Sequence, residues 1–359
     1  MNVHLFNGEG LYKKSFLEFM DSHFNLENNI IILRNPQSFN KSDYVQNENI
    51  ILVEGSIKYF TVLLKKLIIA QKIYLHFLPP SVSLIFWFIF QNLLKKTIWI
   101  LWGGDLYYHV DRPKNLLSGF YEFLRKRIIK KIPMIACFIK GDYELAKVFY
   151  KSKADYCYVI YPLPIKFSDM EKINFNLDKN YKIILVGNSA SPANHHIEIL
   201  NSLSRFKDEK IKIICPLSYA NEKGYAEKVI AIGSAIFGDS FQPFTNIIEP
   251  DEYKLILSQV DVAIMNHKRQ QGLGNVLSLL YLKKKVYIRS ETTPFSYFTS
   301  LGISLFDTKM IDQQDFRSFT SFDENSGNQN KNILANEFSV DNYIKIWENL
   351  LNIRVEHYD

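Results

Sequence analysis

IILVGNSASPANHH, residues 183–196, runs from a β-branched strand through Gly187 into a polar loop and an apolar helical pattern. A glycine there lets the backbone turn tightly, and Asn194 stands where a helix N-cap is expected. The exposed N–H groups of such a turn, with the Asn188 and Ser189 side chains, suit the oxygens of a diphosphate. An ordinary strand-to-helix turn with its cap is the other reading of the same residues. No strand leads into a GxGxxG fingerprint, which counts against a dehydrogenase.

Outward from that strand the rhythm repeats. Downstream, strands are expected at 211–215, 236–237, 262–265 and 286–288, with helices at 194–206, 224–232, 251–259 and 269–282. Upstream, strands at 3–6, 30–33, 50–53, 73–76, 97–101 and 134–139 alternate with helices at 12–24, 56–70, 81–94 and 116–131. Such alternation predicts an α/β fold in which each half is a parallel sheet covered by helices, two Rossmann-like domains in all. A chain of 359 residues also exceeds the size at which single cores stop growing. Pro162, Pro164 and the polar run to residue 180 mark the linker, giving domains 1–163 and 164–339. Residues 308–335, rich in Asn, Gln and Asp, read as a loop, and 340–359 as a terminal helix crossing back to the first domain.

Ligands of open α/β sheets bind beyond the carboxyl ends of the strands, so the residues just after strands are the candidates. NHKRQQGLGN, residues 266–275, sets Arg269 before Gly272 and Gly274 at a helix start. A guanidinium there can clamp a phosphate bidentately while the helix dipole adds positive charge, and together they stabilise a departing diphosphate without a metal. Alternatively Lys268 and Arg269 are surface charges and the glycines accommodate packing. IWILWGGDLYYH, residues 98–109, delivers Asp105 to a strand end beside Trp102, Gly104, Tyr107 and His109. A carboxylate so placed can act as general base on a hydroxyl, and the aromatic faces can stack on sugar rings; equally, Asp105 can cap the next helix. His4, His76, Gly141, Asp142, Pro216, Tyr219 and Glu249 also follow or end strands, and for the two histidines a structural role is favoured.

No DxD pair lies in a loop suited to hold a divalent ion on a nucleotide-sugar, so no metal is expected. Cys137, Cys157 and Cys215 sit in apolar runs without CxxC spacing and read as reduced core thiols. The amino terminus lacks a charged region followed by an apolar one, so a cytoplasmic location is expected. The stretch 82–101 holds Gln91, Asn92, Lys95 and Lys96, and its uninterrupted apolar part, 84–90, is far short of the ~20 residues that span a bilayer. Net charge is +6, and Lys65-Lys66, Lys95-Lys96, Arg125-Lys126-Arg127 and Lys130-Lys131 all lie in the aromatic-rich first half. Such clusters suit an anionic lipid surface, at about 1 kcal/mol per cation, or else form a solvated helix face.

At WGGDLYYH, KGDYELA, ILVGNSASPANHH and KRQQGLGNVLSLL the chain resembles the bacterial 4-alpha-L-fucosyltransferase family, glycosyltransferase family 56. Order and spacing agree from the first strand to the terminal NYIKIW. The resemblance implies a GT-B architecture, two Rossmann-like domains facing each other across a cleft, with acceptor in the first half and nucleotide-sugar in the second. It further implies a dTDP- or UDP-linked deoxyamino sugar such as Fuc4NAc as donor, an undecaprenyl-diphosphate-linked saccharide as acceptor, and peripheral attachment to the inner face of a bacterial membrane. Gly187, Asn188, Ser189, Asn194, Arg269, Gln270, Gln271, Gly272, Gly274 and, where the family carries Thr, Asn275 map to the nucleotide side. Asp105 maps to the acceptor side, with His76, Trp102, Gly104 and Tyr107 around it. No cofactor and no nucleic acid are expected. Two other classes compete: a nucleotide-sugar epimerase of the same shape, and a non-catalytic saccharide-binding assembly protein.

Overall fold

Short β-branched runs recur along the chain, each closed by a glycine or a polar loop, and most become parallel strands buried on both faces. The computed structural model describes residues 1–6, 11–34, 47–53, 56–164, 166–171, 180–222 and 224–354. The chain divides into two units, Met1–Pro164 with Ser339–Asp359, and Ile165–Phe338.

In the first unit β1 (Asn2–Phe6), β2 (Asn29–Arg34), β3 (Ile50–Val53), β4 (Lys72–His76), β5 (Thr97–Ile100), β6 (Met134–Cys137) and β7 (Asp155–Tyr158) form one parallel sheet in the order β3-β2-β1-β4-β5-β6-β7. The strand order reverses between β1 and β4, the place where such sheets open a crevice at their carboxyl edge. Around it lie α1 (Leu11–His23), α2 (Ser56–Ile69), α3 (Ser83–Ile89), α4 (Tyr108–Asp111), α5 (Leu116–Ile129) and α6 (Lys140–Tyr150). Val3, Leu5, Ile73, Leu75, Trp99 and Ile135 form the middle of one core.

The second unit begins with α7 (Phe167–Glu171) and continues β8 (Lys182–Val186), α8 (His196–Leu203), β9 (Ile211–Pro216), α9 (Tyr225–Phe237), β10 (Phe241–Phe244), α10 (Pro250–Gln259), β11 (Val262–Met265) and α11 (Leu273–Tyr281). It closes with β12 (Lys285–Ile288), α12 (Thr293–Ser300), β13 (Phe306–Asp307), α13 (Phe316–Thr320) and α14 (Glu324–Glu337). Its strands are parallel in the order β10-β9-β8-β11-β12-β13, so the reversal falls between β8 and β11. The last helix, α15 (Val340–Asn352), returns to the first unit: Trp347 Nε1 donates to Ile160 O at 2.8 Å and Tyr74 Oη to Leu350 O at 3.1 Å.

Several sequence expectations are corrected. Residues 236–237 end α9, because Gly238 at φ 53° terminates the helix there and the strand forms at Phe241–Phe244. Pro243 cannot donate to a ladder and sits in the edge strand β10, where it need not. The span 308–335 is mostly helical despite its polarity: Asp315 caps α13 by accepting from Ser318 N at 2.7 Å, and Asp323 caps α14 by accepting from Ser326 N at 2.8 Å. The helix expected at 81–94 stops at Ile89 and gives way to a 3-10 stretch, Gln91–Lys96. Part of the expected linker is α7, and 172–179 lies outside the described residues. All three cysteines are buried free thiols.

Candidate functional site

The turn after β8 and the loop after β11 meet at the carboxyl edge of adjacent strands. Gly187 donates its N–H to Ile264 O at 3.0 Å and holds φ 71°; a Cβ on it would come within 2.3 Å of His196 Nε2. Gly272, at φ 62°, starts α11 and faces Asn188, whose Cγ a Cβ would meet at 3.1 Å. These positions need glycine both for backbone hand and for close approach.

Asn194 is the hub that joins the loops. Its Oδ1 accepts Asn188 N at 2.9 Å and His267 Nε2 at 2.7 Å, and its Nδ2 reaches Ser189 O, Ser189 Oγ and Ser191 O at 3.0–3.1 Å. His267 Nε2 also lies 3.0 Å from Asn188 Oδ1, while Asn188 Nδ2 donates to Tyr219 Oη at 3.0 Å. Since both partners of His267 Nε2 are acceptors, that nitrogen carries the proton. Burial, then the Arg269 charge, pulls the His267 pKa down to about 3; burial takes His196 to about 4. Both rings are therefore uncharged near neutrality.

This network corrects two expectations. The Asn188 N–H, expected to meet phosphate, is engaged by Asn194. Asn194 caps no helix: it ends a 3-10 turn, and α8 starts after His195, which takes the left-handed conformation at φ 50°. The second loop brings the cations. Arg269 is half-buried, with a guanidinium nitrogen 3.3 Å from Gln270 O, and Lys268 beside it is exposed. A depression lined by Met265, His267, Arg269, Gln271, Val276 and Thr292 lies at the start of α11. Gln271 Oε1 is buried there with no hydrogen-bond partner among the described residues, and Gly274 and Asn275 fill the first helical turn. Pro216 is buried at the end of β9, and exposed Glu249 precedes α10 without capping it by its side chain.

In the first unit Asp105 is fully buried. Oδ2 accepts from Leu78 N at 3.0 Å and Trp99 Nε1 at 2.7 Å, Oδ1 accepts from Trp102 N at 3.0 Å, and Arg125 donates to the Asp105 carbonyl. Burial pushes its pKa up, against the pull of those bonds and of Arg125. A fully buried carboxylate that accepts from three donors fixes the loop after β5, and Asp105 does not cap α4, whose N-cap is Tyr107. Gly103, at φ 78°, supplies the left-handed turn, whereas a Cβ on Gly104 would meet only the Phe77 ring at 3.8 Å. His76 is also fully buried and cannot touch a ligand; Trp102 is half-buried, and Tyr107 precedes α4.

Sequence reasoning missed two residues. His267 lay inside the second motif without distinction, and His196 looked like any helix residue. Among the described residues no group of three His, Cys, Asp or Glu is placed to hold a metal, and no helix is long and apolar enough to cross a membrane.

The sequence model of the 4-alpha-L-fucosyltransferase family, glycosyl transferase group 56, matches residues 82–355. HepE from Anabaena, solved with UDP and glucose, superposes with a TM-score of 0.68 at 11% identity, covering 98% of this chain and 99% of that one. WaaG, a glycosyltransferase of lipopolysaccharide biosynthesis, gives 0.63 at 9% identity, covering 98% and 100%. An alpha,alpha-trehalose-phosphate synthase from Burkholderia vietnamiensis gives 0.64 at 8%, covering 98% of each chain. This likeness shows the GT-B pairing of two Rossmann-like domains.

Proposed function

Because this chain belongs to the 4-alpha-L-fucosyltransferase family and is a glycosyltransferase, we propose that it moves a deoxyamino sugar such as Fuc4NAc from a dTDP- or UDP-linked donor onto an undecaprenyl-diphosphate-linked saccharide. The product would enter a bacterial surface polysaccharide. One observation carries the donor side: Arg269 stands at the glycine-marked start of α11, in a loop braced through His267 against the Gly187–Asn194 turn.

As the bond between sugar and diphosphate breaks, negative charge gathers on the leaving group. A guanidinium and a helix amino end already in position stabilise that charge without reorganising. His267, uncharged and hydrogen-bonded to both asparagines, keeps the two loops in register while this happens. The resemblance of the chain's motifs to the family supports the acceptor class and the second unit as the nucleotide side, and the complex of HepE with UDP supports a nucleoside diphosphate as the carrier.

Peripheral attachment to the inner face of the membrane is part of the reading. On α5 and at its C-cap the exposed residues Leu116, Phe120, Phe123, Arg127 and Lys130 follow helical spacing along one stripe, apolar first and cationic after. Helix α3, packed beside α5, adds exposed Ile85 and Ile89. Isothermal titration of dTDP and UDP tests the donor site. Arg269→Ala should weaken the preferred nucleotide about 10- to 100-fold, since hydrogen bonds to charged groups contribute about 1.5–3 kcal/mol each. Equal affinity in the variant refutes the clamp.

A further inference from the structure

The outward stripe of α5 changes character along its length, and the apolar half is the half that overhangs the sheet. Arg125, ten residues into the helix, donates to the backbone carbonyls of Leu78 and Asp105, which lie in the loops just past the carboxyl ends of β4 and β5. From there α5 runs back toward Met134, the first residue of β6 at the opposite edge. At about 1.5 Å of rise per residue, Leu116 stands about 13 Å farther along the axis than Arg125, on the carboxyl side. Leu116, Leu117, Phe120 and Phe123 are exposed in that half, and Val110 on α4 is another exposed apolar side chain just before it. Helix α3 makes the same return between β4 and β5 and packs beside α5, with exposed Val82 and Ile85 at its carboxyl-edge end. Ile89 and Phe90 close α3 beside Gln91, whose side chain accepts from Lys131.

Charge decides what covers this face. Between residues 78 and 131 Asp111 is the only exposed acid, against exposed Lys95, Lys114, Lys126, Arg127, Lys130 and Lys131. A second copy of the chain packed on the stripe about a two-fold axis sets these cations against cations or against apolar side chains, with nothing to neutralise them. An anionic lipid surface neutralises the cations and accepts the apolar end at the same time. No described helix is long and apolar enough to cross a membrane, so entry is into one leaflet.

We propose that α5 enters the leaflet tilted, amino end deepest, with Leu116, Leu117 and Phe120 in the acyl boundary and Arg127 and Lys130 on the phosphates of anionic lipids. The carboxyl edge of the first sheet is then held at headgroup level. The inference rests on the membrane attachment and lipid-linked acceptor of the transferase reading, and goes beyond them in fixing the orientation. A diphosphate whose polyprenyl tail stays in the bilayer meets the loop after β5 at its own level, and transfer needs no extraction of the tail.

Depth along the helix tests it on the full chain. The three native cysteines are buried, so a nitrobenzoxadiazole label goes selectively to Leu116→Cys, Phe120→Cys, Arg127→Cys, Lys130→Cys or, as a control on α6, exposed Val148→Cys. With phosphatidylglycerol-containing vesicles, labels at 116 and 120 should be quenched at least twofold more by nitroxides in the acyl chains than by nitroxides on the headgroups. Labels at 127 and 130 should show the reverse, and 148 should be quenched by neither. Equal depths at the four α5 positions, or the reversed order, in a chain that still floats with the vesicles overturn the orientation alone. A chain that does not float defeats membrane attachment and the orientation with it. A lipid-free blue shift at 116 that grows with protein concentration puts a second copy on this face and overturns the proposal.

Discussion

Asp105 and Arg125 sit together at zero exposure, and neither is arranged for traffic with solvent. The carboxylate accepts from Leu78, Trp99 and Trp102, and the guanidinium donates to two backbone carbonyls, of Leu78 and of Asp105 itself. Asp105→Asn would aim an amide N–H at one of those donors and remove a buried negative charge that acts on Arg125. A loss of about 2–4 kcal/mol in unfolding free energy is expected, read from urea denaturation. An unchanged midpoint together with abolished turnover would return Asp105 to the chemistry. At this scale the sequence was legible in place but not in duty. It put Gly187, Asn188, Asn194 and Arg269 beyond strand ends, which periodicity and glycine placement disclose. It could not tell that Asn194 would take the Asn188 N–H, because that bond is decided by a loop conformation, nor that His267, distant in sequence from both asparagines, would bridge them.

Among the helices α5 departs furthest from an ordinary surface element. Leu116 is 95% exposed and Phe123 49%, and the Arg127 guanidinium lies 4.9 Å from the Phe123 ring centre. Burying such side chains in a headgroup layer contributes about 1.5–3 kcal/mol each. Replacing Leu116, Phe120 and Phe123 together by Ser should cut flotation with phosphatidylglycerol-containing vesicles at least tenfold while leaving nucleotide binding intact. Equal flotation would remove this face from membrane attachment. Most strands were legible because short β-branched runs closed by a polar or glycine-marked turn have few other outcomes, whereas β7 and β13 passed unread and β10 was expected too early. The helices within 308–335 were not, since composition was weighed above the caps at Asp315 and Asp323, and Asn330 is held in the interior by its bonds with Ser304 at 2.8 and 3.1 Å. The break after Ile89 likewise has no signal in periodicity, which carries smoothly through to Leu94.

For the molecule as a whole, four buried imidazoles set the acid limit. His4 and His267 are drawn to about 3, His196 to about 4, and His76 well down, all chiefly by burial. The unfolded chain takes up these protons below pH ~6.5 and the folded chain does not, so this stability is complete above that pH and lost as pH falls toward 4. Each ring contributes a slope of about 1.4 kcal/mol per pH unit across the window. Asp105 and Glu122, both raised by burial, work in the opposite direction, but two carboxyls oppose four rings. Urea midpoints should therefore drop between pH 7 and pH 5, and a flat profile would show the rings to be wet. The return of α15 to the first unit adds a demand of a different kind. Trp347, which stacks over His76 and leans on Phe16, comes from the far end of the chain. Emerging from the ribosome, residues 1–164 must wait roughly 10–40 s for the rest to be translated before their core is closed. A nascent chain in that interval holds the Phe16–His76 surface without the indole that later covers it.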